Sequence, residues 1–230
     1  MIRRISVIAV CLLLAPLSLQ ADTTSEARKK LDEAKIPTTA EELITRARQG
    51  DETVVTLLLE AGMDPDSTDK DGRTALSAAA RKGHTHVVKA LLEKGADPDA
   101  GKKGGWTPLM WATTEGHTEI VRLLLAHGAH ANKQDKSGST ALMHAASWAR
   151  VDIVEALLNK NAEINMQDKE GWTALMFAAF RGHPEMVKLL LEKGADPNVK
   201  SEAGDTALSC AACGRHAEIV NLLRKAGAKE

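Results

Sequence analysis

The sequence predicts an all-α solenoid of about six stacked helix-turn-helix repeats. Three observations lead there. Thr74, Thr107, Thr140, Thr173 and Thr206 recur at a constant step of 33 residues, with no insertion. Each step holds two apolar runs at helical spacing; in residues 171–198 they are parted by Arg181-Gly182-His183-Pro184. Each step then closes on a turn such as Gly194-Ala195-Asp196. A fixed period of this length marks a stack in which each unit buries its apolar face only against its neighbours.

Residues 1–21 fall outside the period. Arg3 and Arg4 form a short basic start, residues 5–19 are largely apolar, and Ala21 precedes polar Asp22. This is the pattern of a secretory signal peptide cut near Ala21; the run is short for an uncleaved anchor. The expected destination is a bacterial periplasm or the exterior, with no membrane span after cleavage. Residues 22–39 form a polar lead-in, where Ala27, Leu31 and Ala34 suit a short amphipathic helix ended by Pro37.

The repeat domain covers residues 40–230, with repeats at about 40–70, 71–103, 104–136, 137–169, 170–202 and 203–230. Thr39 and Glu42 make a capping-box pattern before the first, more polar copy. In later copies the recurring Thr is placed to cap a first helix, and Pro108 follows Thr107 where the first helical N–H needs no partner. Small pairs such as Ala79-Ala80 let neighbouring helices approach. Gly83, Gly116 and Gly182 break the chain before a second helix carrying Val88, Leu91, Leu92 and their equivalents. Gly95, Gly128, Gly194 and Gly227 end it in a left-handed conformation, and Asn161 stands there in the fourth repeat.

These residues resemble the ankyrin repeat. The motif Gly-x-Thr-Pro-Leu-His-x-Ala-Ala, then Gly-His, Leu-Leu-Leu and Gly-Ala-Asp, is visible from Gly105 to Ala129, and the resemblance spans about residues 40–228. Two departures stand out. The motif histidine is Ser77, Met110, Met143, Met176 and Ser209, so the Thr–His hydrogen bond of the family is absent there. The fourth repeat has Ala149-Arg150 in place of Gly-His. With the leader, the resemblance implies a secreted or periplasmic bacterial member of the family.

Catalytic, metal and cofactor chemistry find no constellation. His84, His117, His183 and His216 share one repeat position; helices pack roughly 8–10 Å apart, so one metal could not gather them. Met110, Met143 and Met176 are better read as adaptable core filling than as soft-metal ligands. His144 is expected to be a packing variant. Cys210 and Cys213, the cysteines left after the leader, lie inside a helix without a redox scaffold, and two thiols do not complete a zinc site. No phosphate loop or nucleophile elbow occurs. A formal net charge of −1 gives no general pull on nucleic acid.

The family binds through turn tips and the exposed side of first helices. The corresponding variable positions hold Arg73, Trp106, Ser139, Trp172 and Asp205 before each Thr, and Arg81, Lys82, Trp148, Phe180 and Arg181 at the helix ends. Four Trp, two Phe and no Tyr make aromatics scarce, so three Trp and one Phe on expected surface positions are informative. Trp111 and Phe177 are assigned to the core. Partner-binding residues are thus expected at Arg81, Lys82, Trp106, Trp148, Trp172, Phe180 and Arg181, on a face centred on the third to fifth repeats with Lys103, Lys136 and Lys169 at its rim. The expected function is a monomeric, non-enzymatic module that binds a periplasmic protein. An accessory or protective factor for an antioxidant or haem enzyme is the alternative, and a thiol redox protein using Cys210 and Cys213 the second.

Overall fold

The computed structural model describes residues 17–101 and 104–229; most of the segment read as a signal peptide, together with Lys102 and Lys103, lies outside them. The described residues form thirteen helices and no strand. α1 (Leu17–Glu33) comes first, followed by six pairs: α2 (Ala40–Gln49) with α3 (Glu52–Glu60), α4 (Ala75–Lys82) with α5 (Thr85–Glu93), α6 (Pro108–Glu115) with α7 (Thr118–Ala126), α8 (Ala141–Ser147) with α9 (Val151–Leu158), α10 (Ala174–Arg181) with α11 (Pro184–Glu192), and α12 (Ala207–Cys213) with α13 (Ala217–Lys225). The all-α solenoid is the observed architecture.

First helices pack in one layer, α2 through α12 in chain order. The reason is local. Ala79, Ala112, Ala145, Ala178 and Ala211 have no exposed surface, and a methyl group is all that separates adjacent backbones. Second helices supply the bulk: Val88 with Leu91, Val121 with Leu124, Val154 with Leu157, and Val187 with Leu190 are equally buried. Fully burying one such side chain contributes about 1.5–3 kcal/mol.

Each recurring Thr caps its helix, its side chain accepting from the backbone N–H three residues on: Ser77, Met110, Met143, Met176 and Ser209. Where the family histidine is replaced by serine the box closes, since Ser77 Oγ accepts from Thr74 N at 3.1 Å and Ser209 Oγ from Thr206 N at 2.9 Å. The capping box expected at Thr39 is half made. Thr39 Oγ1 accepts from Glu42 N at 3.2 Å, but the Glu42 carboxylate turns to Arg46 Nε at 2.7 Å.

Two series of hydrogen bonds join consecutive repeats. His84 Nε2 lies 2.9 Å from the Arg48 carbonyl, and His117, His183 and His216 repeat the contact to Arg81, Ser147 and Phe180. Gly50, Gly83 and Gly182, at the first-to-second helix turn, make room for the ring of the following repeat: a Cβ on Gly83, at φ 81°, would stand 2.6 Å from His117. The second series runs along the other side. Asp66, Asp99, Asn132, Asn165 and Asn198 each accept from a backbone N–H 31 residues on, at 2.8–3.1 Å.

The lead-in helix differs from its expectation. It begins at Leu17, ahead of residue 22, and ends at Glu33, before Pro37. Lys35 takes a left-handed φ of 55°, so that Ile36 N donates to Leu31 O at 2.9 Å and closes the last turn. α1 packs on α3 through buried Ala27 and Leu31, and Arg28 Nε donates to the Ala61 carbonyl at 3.0 Å.

Candidate functional site

The face presented by the first helices follows from their helical phase. In α6, Pro108, Leu109, Met110, Ala112 and Thr113 are buried. That leaves Trp111, Thr114 and Glu115 pointing away from the core, spaced i, i+3, i+4 on one side. The same phase in α10 leaves Phe177, Phe180 and Arg181. Trp111 and Phe177, assigned to the core on sequence, are both half-buried; Phe177 packs against the core as expected, while Trp111 belongs to the outer face. The apolar character of Trp111 was read as inwardness; counting the helix turn from the capping Thr would have placed it.

The face divides into two aromatic groups. In the first, the Trp106 and Trp111 rings lie 4.3 Å apart, Trp106 stacks 4.7 Å from the His144 ring, and the Arg81 guanidinium sits 4.4 Å above Trp111. In the second, Trp172 meets Phe177 at 5.1 Å and Phe180 edge-on at 5.6 Å. Trp106 and Trp172 are half-buried against the core, so they cover the stack as well as face outward. Trp148, the residue after α8, is 54% exposed, and Phe180 is 44% exposed. Lys82 and Arg181 are exposed at the ends of α4 and α10.

The turns that hold Arg73, Ser139 and Trp172 are clamped by carboxylates, Asp69, Asp135 and Asp168. Asp168 Oδ1 accepts from Trp172 N at 2.8 Å and Glu170 N at 3.0 Å. Asp135 Oδ1 accepts from Ser137 N and Ser139 N, while Asp135 Oδ2 lies 3.1 Å from His144 Nε2. Burial works to raise the Asp135 carboxyl, but its donors, Ser137 first, outweigh that and hold it below the usual range. Burial pulls the His144 imidazole down, against the opposing pull of Asp135. His144 is thus held between a turn and an indole.

The fourth repeat rebuilds its missing Gly-His. Arg150 takes the place of the imidazole, its Nη2 donating to the Thr114 carbonyl at 3.4 Å, while its buried Nε finds no partner. Ala149 adopts the glycine conformation at φ 53°.

The cysteines do not converge on redox chemistry. Cys210 is buried, and burial, reinforced by Asp205 and Cys213, pushes its thiol up to about 11; Cys213 is exposed, and both are free. No group of three or more His, Cys, Asp or Glu among the described residues could hold a metal. The histidines that share a repeat position spend Nε2 on backbone carbonyls, as above. A concavity of about 1000 Å³ lies against α1 among Arg28, Lys29, Asp32, Glu33 and Glu60, away from the aromatic groups.

A solenoid of paired helices with a shaped outer face of aromatics and cations is a stacked-repeat binding scaffold. A family model described as ankyrin repeats (3 copies) matches residues 43–135, 102–168 and 142–230, and the chain belongs to the ankyrin-repeat family. A search of curated proteins gave no match to the chain. Ankyrin repeats generally mediate protein–protein interaction. No helix among the described residues is long and apolar enough to cross a membrane.

Proposed function

We propose that this chain is a non-enzymatic binding module that captures a partner protein on the face of its first helices, in the periplasm. The observation that carries the reading is the pair Trp148 and Phe180. These are the large apolar side chains left exposed among the described residues, and both stand at the ends of first helices. Exposed aromatics grouped on one face mark an interaction surface, and anchors of this kind are often worth 2 kcal/mol or more on truncation. The periplasmic location rests on the pattern of residues 1–21.

Trp148→Ala and Phe180→Ala are the cleanest probes, because neither side chain is buried. Tagged wild type and double variant are each used to capture partners from a periplasmic extract. A protein recovered by wild type should be lost with the double variant while the melting temperature stays within about 2 °C, the shift of a change below 1 kcal/mol. Equal recovery by both sinks the reading. Trp172→Ala is less informative, since its ring also packs on Phe177 and the core.

A further inference from the structure

Beside the aromatic groups lies a notch between α2, α4 and α6, lined by Arg48, Arg73, Arg81, Lys82 and Trp111. Its volume is about 80 Å³, against roughly 300–1,000 Å³ for small-molecule sites, so it suits single side chains of a larger partner.

Four cations line the notch; the carboxylates Asp69, Asp71 and Glu115 stand just outside its lining, on Arg73 and Arg81. The cations are unequally satisfied. Arg73 is held by Asp69 at 2.7 Å and Asp71 at 2.9 Å. Arg81 reaches Glu115 only at 3.5 Å and rests on the Trp111 ring. Arg48 and Lys82 enter no ion pair among the described residues, and both are exposed. Basic residues near helix C-termini complement the helix dipole wherever they sit around the last turn. That does not account for three of them converging from two helices on one hollow beside an indole.

We infer that this notch is the anchor point for an acidic segment of the partner protein, with Asp or Glu carboxylates at Arg48, Arg81 and Lys82 and an adjacent apolar side chain on Trp111. Charge complementarity favours it: a carboxylate accepts the fork of an arginine geometry, and Arg81 is already oriented by the ring beneath it. A long polyanion fits poorly, because Asp69, Asp71 and Glu115 flank the hollow and the chain as a whole carries a formal charge of −1. The segment is therefore short. The inference rests on the binding-module reading and names the chemistry of its partner.

The test is a selection of random twelve-residue peptides (a length of about 40 Å when extended) on the immobilised full chain, followed by fluorescence anisotropy of winning peptides. Winning sequences should pair Asp or Glu with an aromatic or aliphatic residue. Their affinity should fall at least about tenfold in Arg48→Gln/Lys82→Gln and weaken as salt rises. Winners without acidic bias, winners unaffected by that double variant, a selection with no winners, or tighter binding of an oligothymidine all overturn the inference. The Trp148→Ala/Phe180→Ala variant separates the two levels. Loss of partner capture there alongside non-acidic winners removes the acidic segment and leaves the binding face standing. Capture unaffected in every variant removes the face as well.

Discussion

At the scale of the residue, irregularity is densest at one boundary, although Arg215 in the last repeat also holds a left-handed backbone at φ 58°. Thr113 occupies a position where the other first helices carry alanine, and its buried hydroxyl has no partner. A polar group left so costs about 1–3 kcal/mol. Ala149 holds a left-handed backbone, at about 1–2 kcal/mol for a residue with a Cβ. Thr113→Ala and Ala149→Gly should each stabilise the protein by about 1 kcal/mol, raising the melting temperature by roughly 2–4 °C in calorimetry. Lower melting in either variant would show that the methyl or the hydroxyl fills space usefully. His144 gives a pH dependence. Its folded pKa lies below the unfolded value of about 6.5, so the unfolded chain binds the proton first as pH falls. Stability is intact above about pH 6.5 and declines below it, by at most about 1.4 kcal/mol per pH unit for this one site. His144→Gln should flatten the melting-temperature profile between pH 7 and 5; an unchanged slope would mean that the ring is not kept neutral by folding.

At the scale of the element, most of the fold was readable because each helix is bounded by side chains with one physical task. The recurring Thr supplies an oxygen to an N–H without a helical partner, and Gly95 or Asn161 supplies the positive φ that ends the second helix. The terminal helix α1 was half readable. Ala27 and Leu31 gave its apolar stripe, but nothing in their spacing shows that it lies on α3, or that Arg28 reaches the Ala61 carbonyl. Those contacts depend on where the chain turns at Lys35, a residue with no intrinsic preference for a left-handed backbone. The outer face was misread at Trp111 for a related reason. Hydrophobicity reports what a side chain tolerates, and only helical phase reports where it points. The two criteria agree for Leu109 and part company two residues later, at Trp111.

At the scale of the whole molecule, a stack held by nearest-neighbour terms is as strong as its weakest boundary. The third and fourth repeats meet where Thr113, Ala149 and Arg150 all depart from the pattern, and the tie from Arg150 to the Thr114 carbonyl is long at 3.4 Å. On the outside, the same boundary is clasped by Trp106 lying on His144. Aromatic pairs add about 0.5–1.5 kcal/mol, less than the irregularities beneath cost together. Native-state hydrogen exchange should therefore find lower opening free energies in α8 than in α4 or α10, and the gap should narrow in the Thr113→Ala/Ala149→Gly double variant. Uniform exchange across the three helices would contradict it. The indole that clasps the boundary also belongs to the proposed binding face. A partner that pressed on Trp106 would set how often the two halves of the rod breathe apart, making the chain a spring with its latch on the outside.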